Sequence, residues 1–337
     1  MRIGSVPTTC RADLEAARKI AAAHLRQLRA DPRAAARERL GGYLLACEWC
    51  FLIVTTYALV YAEFAWWLKL TALVPWSLYA GFALDTITHY ANHWPLFRVR
   101  WADAAWRLSA IAVLFNPREI HHVHLEHHRT YNRPDGGDVP YTPEMIGHSL
   151  WPHFGRELIG SLRVLNPLRP LADEVAALAA TQPAELREIR RVRWAFPLWV
   201  ALLLALDPWN TLLYFVPFVV MVGSFASELM NWTDHYPGEA RHPFRLATSC
   251  EPATRAERLF AAVNHNTAAT HLTHHLFPSV HWMHLAALQR ALAPIYARHG
   301  APRSLLLTTL LIGNPWRLWT TIRALDRSMR AQAGPGA

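Results

Sequence analysis

The chain has 337 residues, 52% of them hydrophobic and only 18% charged, with 15 Trp and 4 Cys. This composition excludes a disordered or collagen-like chain, and four Cys are too few for a disulfide scaffold. The formal net charge of +9 comes almost wholly from Arg, since Lys occurs only at Lys19 and Lys69. No nucleic-acid-reading motif accompanies it, which points to an anionic membrane surface or an acidic protein instead.

Residues 1–40 are polar and Arg-rich and lack the apolar stretch of a secretory signal. They predict a cytosolic N-terminal helix broken at Pro32. Tyr43 to Tyr61 and Leu68 to Ile87 are apolar runs, each close to the ~20 residues that cross a bilayer. Trp66 and Trp67 lie between them, where an interfacial aromatic belt belongs, so 41–94 reads as a transmembrane hairpin. Residues 95–193 are mixed and Arg-rich, with an amphipathic, interfacial stretch from Trp101 to Phe115 and a turn region from Pro134 to Pro143.

A second hairpin is predicted over 194–235, interrupted at Asp207-Pro208. Its first arm, Trp194 to Leu206, is short: about 20 Å as a helix, against a hydrocarbon core of about 30 Å. Snorkelling by Arg190, Arg191 and Arg193 makes up part of the deficit. Residues 236–337 form a cap in which Ser304 to Ile312 is too short to span. The outer turns carry only Lys69, so the three Arg-rich parts are assigned to the cytosol. The expected fold class is an all-α integral membrane protein: four transmembrane helices in two hairpins, with a cytosolic helical cap, in one domain over 1–337.

Of the nineteen His, eight fall in three clusters. They are His89-Tyr-Ala-Asn-His93, His124-Leu-Glu-His127-His128 and His271-Leu-Thr-His274-His275. Residues three and four apart share a helix face, so each cluster aims its imidazoles one way. At this His content an HxxHH arises by chance roughly 0.06 times in such a chain; two are a signal. Imidazole suits Fe, Zn, Cu or Ni, so the ligand type does not name the metal.

With these boxes the sequence resembles the membrane fatty acid desaturase and hydroxylase superfamily. The likeness covers Tyr43 to Leu288, and the His274-His-Leu-Phe-Pro-Ser-Val280 continuation is especially like acyl desaturases. Asn231-Trp-Thr-Asp-His235 matches a further family segment, Asn-x-x-x-His. The resemblance implies His89, His93, His124, His127, His128, His235, His271, His274 and His275 as ligands of two iron ions, with Asn231 contacting one iron. It also implies O2 as co-substrate, a fatty acyl substrate (lipid, CoA or acyl carrier protein-linked), and an external electron donor such as ferredoxin or cytochrome b5. Nine ligands exceed the needs of one tetrahedral zinc. Glu119-x-x-His122 is a lone match to the di-iron carboxylate pattern, which needs two.

Topology then becomes a constraint. A single crossing by 194–230 would part His235 and the third box from the first two boxes; two hairpins keep them together. The expected activity is desaturation of an acyl chain, with hydroxylation, acetylenic bond formation or carotenoid or alkane oxygenation as the alternative. A membrane zinc hydrolase and a metal transporter are more distant rivals: the first needs fewer ligands, the second charges within the spans. Asp85, Asp135, Asp138, His121 and His265 flank the boxes as candidates to orient ligand rings. His148, His153, His242, His281 and His284 read as surface or structural. Cys47-x-x-Cys50 reads as helix packing, and Cys10 and Cys250 as without a role.

Overall fold

The computed structural model describes residues 8–97, 99–130, 155, 158–235, 242–249, 252, 254–303, 320 and 323. The expected features at Pro134 to Pro143 and Ser304 to Ile312, and the residues Asp135, Asp138, His148, His153 and Cys250, lie outside them. Among the described residues every regular element is helical. The chain divides into two compact units, each assembled from separate stretches. The first comprises Met1–Gly41, His127–His153 and Leu229–Ala337; the second comprises Gly42–Glu126 and Phe154–Glu228.

The N-terminal helix α1 spans Thr8–Ala30 and stops at Asp31, whose Oδ1 accepts from Arg33 N at 2.8 Å. Helix α2, Ala34–Tyr61, starts beyond the Pro32 break and runs without interruption into the first apolar run. The sequence had placed a boundary at residue 40. A polar first turn followed by apolar residues is one continuous helix, since no residue between them breaks it.

In the second unit α2 turns at Ala62–Ala65 into α3, Trp66–His93. Helix α4, Arg100–Ser109, is followed by a 3-10 turn at Ala110–Val113 and by Leu114 in the left-handed region at φ 56°. The expected amphipathic stretch, Trp101 to Phe115, is thus helical as far as Val113. Helix α5 covers Pro117–Thr130 and α6 covers Pro183–Leu206. A short turn at Pro208–Asn210 leads into a π-helical segment, Thr211–Val222, that continues as α7, Gly223–His235.

The two hairpin tips of this unit are bonded to each other. Lys69 is buried; its Nζ donates to Val60 O at 3.0 Å and to Asn210 Oδ1 at 2.7 Å, and lies 5.0 Å from the ring centre of Tyr214. Tyr61 and Thr211 share a hydroxyl hydrogen bond of 3.0 Å. Asp207 caps the second tip, accepting from Asn210 N at 3.1 Å. Trp66, Trp67 and Trp209 are exposed around these tips, and Leu198, Leu202, Leu206 and Leu213 are exposed along the helices. Such an outward apolar surface needs covering. Cys47 and Cys50 are exposed on α2, so neither thiol serves as packing. Among the described residues three helices are long and apolar enough to cross a membrane: Ala34–Tyr61, Trp66–His93 and Pro208–Asn231. Helix α6, expected as the first arm of the second hairpin, falls short of that measure.

Inside the bundle Val60, Leu73, Phe196, Val200, Phe215 and Val220 form the core. Gly223 N–H reaches Phe218 O, five residues back, which gives the π-helical segment its wide turn around Pro217. Helix α3 comes very close to it: a Cβ on Gly81 would sit 2.3 Å from Gly223 O and 2.7 Å from Ala226 Cβ. Only a backbone shift makes room. Gly81→Ala is expected to cost about 1–3 kcal/mol of stability, and Gly81→Val more, read as a fall in the thermal midpoint of detergent-solubilised protein. A midpoint unchanged by Gly81→Val would show that this crossing is not tight.

Candidate metal centre

The first unit adds helices α8, Arg255–Val263, α9, Thr267–Leu276, and α10, Trp282–Arg298. Between α8 and α9 the chain reverses through two residues in the left-handed region, His265 at φ 47° and Asn266 at φ 63°. Asn264 Oδ1 accepts from Ala268 N at 3.1 Å and closes the first turn of α9. Every residue from Thr267 to His275 is buried. A helix enclosed on all sides holds its imidazoles in a dry environment.

Three box histidines of this unit and His235 form a closed ring. His127 Nε2 lies 3.1 Å from His235 Nε2, which lies 3.0 Å from His271 Nε2; that atom lies 3.1 Å from His275 Nε2, which returns to His127 at 3.3 Å. All four residues are buried. A point equidistant from four nitrogens so spaced is between about 1.9 and 2.2 Å from each, depending on the pucker of the ring, and brackets the ~2.0–2.1 Å of a metal–imidazole bond.

The outer nitrogens decide what these inner atoms are. His235 Nδ1 donates to Leu246 O at 3.2 Å, and His271 Nδ1 faces Asp234 Oδ2 at 3.5 Å. His235 thus carries its proton outside and turns a lone pair inward, and the Asp234 carboxylate favours the same tautomer for His271. Burial, and then the imidazoles of His128, His271, His235 and His127, hold His275 well below its usual 6.5, so its ring is neutral. Converging lone pairs repel unless a cation joins them. The donor set fits a transition metal, and imidazole nitrogen admits iron.

Asp234, fully buried, is a residue the sequence reading passed over. Its signal was its place directly before His235 in Asn231-x-x-x-His235. The strap at 242–249 completes the support: Thr248 N donates to Asp234 O at 2.7 Å, and Leu272 N donates to Thr248 O at 2.9 Å. In the same unit His274 Nε2 is 2.9 Å from His128 Nε2, and the rings of His128 and His275 are 4.5 Å apart. Asn231 is half-buried on α7, one turn before His235.

In the second unit the first box meets the start of the second. His93 Nε2 is 2.8 Å from His124 Nε2, and the His89 and His124 rings are 4.3 Å apart. Asp85, one turn before His89, accepts from Ser227 Oγ at 2.7 Å and so ties α3 to α7. It also lines a cavity whose wall includes Thr56, Trp76, Gly81, Phe115 and Phe218. His121 stacks edge-on to His122 at 5.4 Å and lines a second cavity with His93, Arg107, Arg118 and Glu185. Burial, then His122, lowers its pKa.

His265 packs against Trp282 at 5.1 Å, as part of the turn before α9. His281 and His284 are buried, which makes them structural; His281 Nδ1 accepts from Met283 N at the start of α10. Glu119 is bound by Arg193, through Nε at 3.0 Å and Nη2 at 2.6 Å, and by Arg169 Nη2 at 2.9 Å. That carboxylate is committed to arginine, in keeping with the rejection of a carboxylate di-iron site.

The family model described as "Fatty acid desaturase" matches residues 64–306 of this chain, well over half of its length. No curated protein and no solved structure matches it.

Proposed function

From the chain's membership of the fatty acid desaturase family, we propose that it is an O2-dependent membrane desaturase that introduces a double bond into a fatty acyl chain. The eight box histidines and His235 would hold two irons, and Asn231 would contact one of them. The observation that carries this reading is the buried ring of four Nε2 atoms around His127, His235, His271 and His275. Bound iron supplies the O2 activation and one-electron chemistry that an inert hydrocarbon demands.

The chain's own residues hold, orient and exclude water. Leu246 O and Asp234 fix the tautomers of His235 and His271. The buried α9 keeps water from the third box. The cavity along α3 offers an acyl chain a path bounded by Trp76, Leu84 and Phe218, and its wall reaches Asp85, one turn from His89. No side chain is assigned a proton transfer. The protein is integral to the membrane, with four spans in two hairpins and with boxes and termini in the cytosol. The bonded hairpin tips and the Arg-rich composition outside the spans support this topology. Electrons come from a separate donor such as ferredoxin or cytochrome b5, drawn to the basic cytosolic face.

Desaturation and hydroxylation share a ligand set, and the position of the substrate decides between them. Mass spectrometry of acyl chains from cells supplied with the electron donor and expressing the protein or His274→Ala reads the outcome. Chains two hydrogens lighter, absent with the variant, are expected. Chains one oxygen heavier would replace desaturation by hydroxylation, and chains four hydrogens lighter would indicate an acetylenase. No change in any acyl pool would overturn an acyl substrate.

A further inference from the structure

A second cluster of metal-ligating side chains lies in the first unit, away from the histidine boxes in sequence. Cys10, near the start of α1, is buried at 1% exposure. Its Sγ lies 3.5 Å from His242 Nε2 and 4.0 Å from His299 Nδ1. These three ligand atoms all lie within 4.8 Å of one another. They come from three distant parts of the chain: the first turns of α1, the strap at 242–249, and the residue that ends α10.

We propose that Cys10, His242 and His299 bind a structural zinc ion, separate from the boxes. A tetrahedral zinc with a ~2.3 Å bond to sulfur and a ~2.0–2.1 Å bond to nitrogen separates S from N by about 3.6 Å. The two observed separations lie on either side of that value. One thiolate and two imidazoles suit zinc by softness and disfavour magnesium and calcium. The thiolate leaves a net single positive charge on a zinc site, and Asp13 supplies the countercharge. Its Oδ2 accepts from His299 Nε2 at 2.8 Å, which fixes the tautomer that turns the Nδ1 lone pair toward Cys10. Arg298 holds the other oxygen of Asp13 at 2.6 Å.

His242 has to adjust. Phe244 N–H points at its Nδ1 at 3.2 Å, and a neutral imidazole has one lone pair, so coordination through Nε2 gives up that contact and places the proton on Nδ1. Binding also releases the Cys10 proton to solvent. His242 and His299 are both half-buried, which gives the ion a way in.

The ion acts as a clip. His242 begins the strap whose Leu246 O orients His235, and Phe244 of that strap stacks on His299 at 4.5 Å. Ser249 N donates to Pro302 O at 2.7 Å at the strap's other end. Zinc at His242 therefore fixes a segment that steadies the box ligands without touching them.

The test uses full-length protein in detergent, stripped of metal by a chelator and titrated with Co2+, then with Zn2+. A sulfur-to-cobalt charge-transfer band at one equivalent per chain, bleached by Zn2+, is expected, because the boxes contain no sulfur. X-ray absorption of the zinc form is expected to show one sulfur at about 2.3 Å. The band should vanish in Cys10→Ser, weaken at least tenfold in His299→Gln, and persist in His274→Ala. Elution volume and helical circular dichroism identify a misfolded variant; if Cys10→Ser fails there, His299→Gln decides. A folded wild type without the band, or a band that survives Cys10→Ser and so comes from Cys47, Cys50 or Cys250, would overturn the site. Neither readout depends on acyl products or on iron, so this inference and the desaturase reading fail separately.

Discussion

Replacing His275 with alanine is expected to abolish product formation and to lower bound metal by about one equivalent per chain, measured by elemental analysis of the purified protein. The loss should exceed the 10–100-fold that follows removal of a group supporting a ligand. His275 closes the ring between His127 and His271 and is fully buried. Asp234→Asn is expected to stay within that 10–100-fold range, in metal affinity or in activity, because it removes the charge facing His271 Nδ1 and spares the ligand. Raised iron should restore Asp234→Asn and leave His275→Ala inactive. Full metal content and activity in His275→Ala would take the four-imidazole ring out of the chemistry.

Arg193→Ala should destabilise the protein by about 3–5 kcal/mol, because it strands the buried Glu119 carboxylate. Arg193 is 2% exposed; it holds Glu119 with two nitrogens and donates through Nη1 to Arg169 O at 2.6 Å. Glu119→Ala should cost a similar amount. The Arg193→Met, Glu119→Leu double variant should recover most of it, since an apolar pair of similar volume leaves no buried charge unmatched. Arg169 would then be released, and with 30% of its side chain exposed it has water to turn to. Chemical unfolding followed by tryptophan fluorescence measures the three variants. A double variant as weak as either single one would mean that packing, and not charge pairing, sets the cost.

Arg193 also shows what the sequence did and did not disclose. Read with Arg190 and Arg191, it looked like one more snorkelling side chain, and those two are exposed. Yet Leu186, Ile189, Arg193, Phe196, Val200 and Leu203 recur at alternating intervals of three and four, and all six are buried on one face of α6. The periodicity had already marked Arg193 as inward. The boxes were legible for the same reason, since i, i+3 and i+4 spacing on α5 and α9 aligns imidazoles through local geometry alone. Asp234 was half-legible, adjacent to a recognised motif. The strap and the Cys10 cluster were not. Cys10 meets residues 232 and 289 positions away, the strap bonds residues from both sides of it in the chain, and no local period encodes such meetings. The π-helical segment was hidden too, because Pro217 in an apolar run reads equally well as a kink.

Lys69 gives the assembly of the proposed membrane bundle an order. Its bond to Val60 O is available as soon as the first hairpin forms, whereas its bond to Asn210 waits for a partner synthesised 141 residues later. In the two-hairpin topology proposed above, the ammonium would until then stay hydrated at the bilayer surface. Arrival of the second tip removes that water and replaces it with an amide oxygen and the face of Tyr214. In the proposed topology the side chain would thus change partners, from water to Asn210 and Tyr214, only once the second tip has come beside the first.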